Sequence, residues 1–162
     1  MEHKMNFLKA VKNDYGLGVF LIFVLVGLGF GGYFTFIKNE ISLQQLFALP
    51  FAEMVSTKDF YQLTVFVLIV LFGLFFFVKR VVYIKSFEGE CRLVEGKVVN
   101  IHYVKDRCGV DVEFLLDENL CKKHFTLFNN SQTKYVHMDS QVQLIVKGNN
   151  PKKSLILDLY FD

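Results

Sequence analysis

Phe60-Tyr61-Gln62-Leu63-Thr64-Val65-Phe66-Val67-Leu68-Ile69-Val70-Leu71-Phe72-Gly73-Leu74-Phe75-Phe76-Phe77-Val78 is an unbroken run of 19 uncharged residues between Asp59 and Lys79. As a helix at ~1.5 Å per residue it covers roughly 28 Å, close to the ~30 Å hydrocarbon core of a bilayer. A second such run lies upstream, 23 residues from Tyr15 to Ile37 between Asp14 and Lys38, or roughly 34 Å of helix. Both pass the usual length for a spanning helix, about 18 apolar residues. The upstream run is too long for a signal peptide's apolar stretch and lacks a small-x-small cleavage site. The sequence therefore predicts two transmembrane helices, at 15–37 and 60–78, joined by a connection at 38–59.

Composition divides the chain the same way. Residues 1–78 carry 5 Lys, no Arg and 5 acidic residues, whereas 79–162 carry 13 basic and 11 acidic ones. Fourteen of the 19 Phe fall in the first part, so the two parts meet different solvents. Net charge is +2 with no long basic run, which gives no footprint for nucleic acid. Flanking charge sets the orientation. Lys4, Lys9 and Lys12 precede the first run, and Lys79, Arg80 and Lys85 follow the second. The connection holds only Lys38 and Lys58. Six against two predicts both termini in the cytoplasm of a bacterial inner membrane, with Lys79, Arg80 and Lys85 as anchors among headgroups.

Within the connection, Ser42 and Gln45 fit a capping box ahead of Leu46, Phe47 and Leu49, and Pro50 stops or kinks that helix. Its apolar content predicts a short helix on the outer membrane surface, with a partner-binding or pore-capping segment as the other reading. Ser56 with Asp59 reads as the N-cap of the second span. In the first run Gly27 and Gly31 form a Gly-x-x-x-Gly pair, which lets two helix backbones approach in lipid. Its partner is the second helix of the same chain or the first helix of another copy. The second helix offers only Gly73 as a small residue, which favours a homo-oligomer built on residues 27–31. Gly27, Gly29 and Gly32 also satisfy a dinucleotide fingerprint, but it lies inside a membrane helix rather than after a strand. No ionisable residue lies within either run, unlike the usual transporter or proton relay.

From Phe87 the pattern changes to short alternating segments between turn residues. Strands are predicted at Cys91–Val104, Val110–Leu116, Leu120–Phe128, Gln141–Lys147 and Ser154–Phe161, with a bulge or bend at Gly96. The fold class is thus an α+β membrane protein: a two-helix hairpin over 1–86, then a five-stranded antiparallel β-barrel-like cytoplasmic domain over 87–162.

The segment Met138-Asp139-Ser140-Gln141-Val142-Gln143-Leu144-Ile145-Val146-Lys147-Gly148-Asn149-Asn150-Pro151 resembles the signature of a bacterial membrane family, domain of unknown function 3592. Glu95-Gly96-Lys97-Val98-Val99 resembles that family's preceding strand. Val142, Leu144 and Pro151 fit the pattern. Asp139, Ser140, Val146 and Gly148 depart from the residues usual there. The resemblance covers about 90–160, implies a small β-barrel on membrane helices and carries over no catalytic residues.

Three Cys (91, 108, 121) and three His (102, 124, 137) lie in the same part. Cys121-x-x-His124 has metal-site spacing, but positions three apart on a strand face opposite ways. We assign no metal, cofactor or catalytic group. The expected function is a non-enzymatic protein acting through protein–protein interaction, as an accessory subunit or immunity-type protein, with the lipid bilayer and another protein as partners. The alternative is a ligand-sensing, membrane-disrupting effector, similar to the two-helix-plus-barrel effectors of cyclic-oligonucleotide antiphage systems. There Lys105, Arg107, Lys122 and Lys123 would bind the anionic ligand.

Overall fold

The computed structural model describes residues 4–33 and 48–162. Helix α1 (Phe7–Asn13) is capped by Asn6, whose side chain accepts from the Lys9 N–H at 3.0 Å. Helix α2 (Tyr15–Val26) follows directly and passes into a π-helical turn, Gly27–Gly31. Helix α3 (Phe51–Ser56) precedes the long helix α4 (Lys58–Lys85). Strands β1 (Arg92–Val104), β2 (Arg107–Leu116), β3 (Asn119–Phe128), β4 (Gln141–Val146) and β5 (Ser154–Ile156) come next, and a single turn, α5 (Leu157–Tyr160), ends the fold. The chain is α+β.

Two compact units result. One combines the described residues up to Gly18 with Lys79–Asp162, and the other holds those of Val19–Val78. The sequence places one boundary near residue 86. Contacts divide the chain differently because its first helix and the last turns of α4 pack with the sheet.

In the second unit α2 and α4 run antiparallel. Phe20 stacks on Phe76 at 5.3 Å, and a Cβ on Gly73 would lie 3.0 Å from Val24 Cγ2. Gly27 lies under Val70 and Gly31 under Phe66, where a Cβ would come 2.1 Å from the ring. The Gly-x-x-x-Gly stripe thus packs on the same chain's α4. Gly27 and Gly31 each receive one side chain of α4, and Gly73 of α4 in turn receives Val24.

Helix α4 is capped by Thr57, whose Oγ1 accepts from the Phe60 N–H at 3.2 Å. Ser56, the expected cap, instead ends α3. Pro50 stands ahead of α3, and its carbonyl accepts from the Glu53 N–H at 3.0 Å. The capping box at Ser42 and Gln45 lies outside the described residues, as does the end of the expected 15–37 span. Among the described residues one helix, Phe60–Lys85, is long and apolar enough to cross a membrane. Only 6% of its most apolar window is buried, which separates it from a core helix. It runs seven residues past the expected end at Val78, because Lys79 and Arg80 end the apolar band without breaking the helix.

The five strands form one antiparallel sheet, ordered β3-β2-β1-β4-β5, curled into a half-barrel. β1 makes the curl. Its first part, Arg92–Lys97, pairs with β4, and Gly96–Val104 pairs with β2. At the overlap a Cβ on Gly96 would sit 2.6 Å from Val112 Cγ1 and 3.0 Å from Leu144 Cδ1. The register slips between Val98 and Asn100. The bulge is therefore at Val99, and Gly96 supplies the close approach. On β2 burial alternates cleanly, with Cys108, Val110, Val112, Phe114 and Leu116 inside. Asp117 and Glu118 both take positive φ, the two-residue hairpin turn that matches strand twist.

The last strand stops at Ile156, short of the expected Phe161. Leu159, Tyr160 and Phe161 are all buried. The chain turns helical at Leu157–Tyr160 and returns to extended backbone at Phe161. Met5 then bridges Phe161, and the Asn6 N–H donates to the Tyr160 carbonyl at 2.9 Å.

Candidate functional site

The polar centre of the β unit is a buried carboxylate. Asp14 is the hinge between α1 and α2. Its backbone N–H donates to the Ala10 carbonyl, ending α1, and its Oδ1 accepts from the Leu17 N–H at 2.8 Å, starting α2. An acidic N-cap complements the positive end of the helix it starts. The carboxylate is 1% exposed, so its charge requires partners. Arg80 supplies two donors, Nη2 at 2.5 Å and Nε at 3.1 Å from Oδ2. The Tyr160 hydroxyl donates to the same oxygen at 2.8 Å. Burial first, and then the Asp14 charge, hold the Tyr160 phenol well above its ordinary range. Beside it, buried Asn13 donates to the Leu159 carbonyl and to Gln132 and accepts from Asn130. The start of α2, the last turns of α4 and α5 are thus tied at one point.

This arrangement holds structure together. Its oxygens are saturated and Tyr160 is sealed from solvent, so it offers no open position for substrate. Sequence reasoning used Asp14 only as a span boundary and Arg80 only as a headgroup anchor. One local signal was available: an aspartate immediately before an apolar helix is an N-cap pattern. Lys79 and Lys85 are exposed. Arg80 faces Asp14 instead and lies over the Tyr83 ring, 5.1 Å from its centroid.

The four basic residues expected to bind an anion do not converge. Lys105 lies in the β1–β2 turn with φ 45°, and Arg107 begins β2. Lys122 and Lys123 are neighbours on β3, so they point to opposite faces. Lys122 is outside, 3.6 Å from Glu113. Lys123 turns to the side of buried Phe125 and Leu127, with Nζ 5.0 Å from the Phe125 ring centroid. Cys121 and His124 likewise face opposite ways, Cys121 on the side of buried Phe125 and His124 outward. His124 Nδ1 is 2.7 Å from Asp111 Oδ1, and Asn100 donates to Asp111 Oδ2 at 3.2 Å. Those contacts keep the Asp111 carboxyl below its usual range, the His124 hydrogen bond being the larger cause. Among the described residues no three metal-binding side chains converge. Leu115 and Leu120 form an exposed apolar pair across β2 and β3.

No known protein family, curated protein or solved structure matches the chain.

Proposed function

We propose that this chain is a non-enzymatic inner-membrane protein that works by binding another protein, as an accessory or immunity-type subunit. The observation that carries the reading is α4. Its apolar length is almost wholly unburied, while its last turns deliver Arg80 to Asp14 and Ile84 to the core of the β unit. In this reading the apolar length of α4 is the membrane anchor of the chain. In this reading 15–37 is the second span, both termini are cytoplasmic, and the exposed surface of the half-barrel meets the partner. The polar groups at the junction serve as ties rather than as a reaction centre.

Alkaline carbonate should leave the protein in the membrane pellet. Cross-linking in intact cells, followed by mild solubilisation, should return one specific protein. Release by carbonate, or isolation without a partner from several detergents, overturns the reading. Depolarisation of cells on expression overturns it too, in favour of a membrane-disrupting effector.

A further inference from the structure

The half-barrel has an open seam between its edge strands, β3 and β5. The Lys123 side chain crosses it. Lys123 Nζ donates to the Lys152 carbonyl at 2.8 Å and to the Ser154 carbonyl. Between those two, the Lys153 carbonyl accepts from the Lys147 N–H on the β4 side at 2.9 Å. Successive carbonyls along a strand point to opposite sides. The Ser154 carbonyl is therefore an acceptor that a further strand would fill, and the Lys123 ammonium fills it together with the Lys152 carbonyl of the turn before β5.

β3 offers the matching edge. Leu116 and Asn119 close the hairpin, and pairing continues without a slip to Arg107 and Phe128. Just beyond, the Asn129 N–H donates to the Asp106 carbonyl at 2.9 Å. That register turns the main chain of odd-numbered residues toward β2, and that of Leu120, Lys122 and His124 toward the seam. Asp14 bridges the edge at Leu127. From Leu120 to His124 no strand lies beside it among the described residues.

Charge defines what would fit. Lys122 and Lys123 line one side of the seam, and exposed Lys152 and Lys153 the other. Among the described residues Lys123, Lys152 and Lys153 have no carboxylate within ion-pair range. Burial, and secondarily Arg80, pull the Lys123 ammonium down to about 8, as expected of a cation lacking a counter-charge. Edge-to-edge pairing of two copies would set like charges together, the usual guard against self-association.

We propose that the β3–β5 seam is a docking slot for an extended acidic segment of a partner protein. The segment adds as a strand along Leu120–His124 and draws Lys123 from the Lys152 and Ser154 carbonyls onto one of its carboxylates. Main-chain bonds give such docking its affinity, and side-chain pairing gives its selectivity. The inference rests on the interaction reading above and names the surface.

The probe is a short peptide alternating Glu with Val and Thr, titrated into the full chain in detergent and followed by amide hydrogen exchange. Leu120, Lys122 and His124 should gain protection. Affinity should fall about tenfold or more, or ~1.4 kcal/mol, when alternate peptide amides are methylated. Lys152→Glu with Lys153→Glu should do the same, with an unchanged melting curve showing that the fold persists. Equal binding by the methylated peptide, equal binding by a Lys-for-Glu peptide, or no protection along β3 overturns the slot. Protection of those residues by raising protein concentration alone overturns it in favour of a second copy. A cellular partner that still cross-links to the double variant removes the slot and leaves the interaction reading standing. Binding of the peptide without any cellular partner does the reverse.

Discussion

Arg80 closes on Asp14 in a fork, with Nη2 2.5 Å and Nε 3.1 Å from the same carboxylate oxygen. The two sides of the pair are unequal. Asp14 is 1% exposed, whereas the Arg80 side chain is 35% exposed. Water therefore softens the cation and leaves the anion dependent on its partners. Arg80→Met should destabilise the β unit by about 3 kcal/mol, the lower end for a buried pair that loses one member. Asp14→Asn keeps the cap and an acceptor for Tyr160, so its cost should be smaller. The two changes together should cost less than their sum, since no charge is then left buried. Urea unfolding of the four proteins, followed by near-ultraviolet circular dichroism, measures the coupling. A coupling near zero would show the pair to be idle.

Two buried groups should shape the alkaline limb of stability in opposite directions. Lys123 titrates near 8 in the folded chain, against 10.5 for the free side chain. Between those values the unfolded chain binds more protons, so stability rises with pH. Tyr160 is raised well above 10.0 by burial and by Asp14. Above that pH the unfolded chain holds fewer protons, so stability falls. The urea midpoint should climb from pH 8 and turn over beyond 10. Lys123→Met should flatten the climb. Tyr160→Phe should lower stability by about 2 kcal/mol, the scale of a hydrogen bond to a charged acceptor, and should weaken the turnover.

What the sequence shows and what it hides divide along a physical line. The 60–78 run and the alternation of Val110, Val112, Phe114 and Leu116 are local patterns, and a helix and a strand form over them, the helix extending to Lys85 and the strand beginning at Arg107. Val99 carries no mark of a bulge, because a bulge is set by the register between two strands. Lys79 and Arg80 marked the end of an apolar band, which is a statement about solvent and not about where a helix stops. Asp14 and Arg80 meet only after the chain has folded, so neither announces the other. The dispersal of Lys122 and Lys123 was legible, since adjacent residues on a strand cannot share a face. The Lys123 bridge was not, because it depends on which strands become edges.

Gly96 can be tested against Gly148. A Cβ at Gly96 meets Val112 Cγ1 at 2.6 Å, Leu144 Cδ1 at 3.0 Å and the Glu113 carbonyl at 3.3 Å, from two strands at once. Gly96→Val should therefore cost about 3 kcal/mol, the upper end for overpacking. Gly148 has open space but φ +60°, so Gly148→Ala pays only backbone strain, about 1 kcal/mol. Equal melting of the two variants would contradict the close approach that produces the curl.

The glycines that follow α2 divide into two faces. A Cβ at Gly31 would lie 2.1 Å from Phe66 Cδ2, and one at Gly27 would lie 3.3 Å from Val70 Cγ2. Among the described residues Gly29 and Gly32 have nothing within 4 Å. Phe66 and Phe76 differ in role: Phe76 stacks on Phe20 at one end of the pair, whereas Phe66 fills the gap at Gly31. Gly31→Ile places a branched side chain where the ring lies and should separate the helices at that end, at a cost of about 1–3 kcal/mol. Gly29→Ala meets open space and should be neutral or slightly stabilising. Two copies could join through Gly27 and Gly31 only after each opened its own pair, so particle mass in detergent should be unchanged by Gly31→Ile. Its thermal midpoint should fall while that of Gly29→Ala does not. A wild-type oligomer that becomes monomeric in Gly31→Ile would instead assign the stripe to contacts between copies.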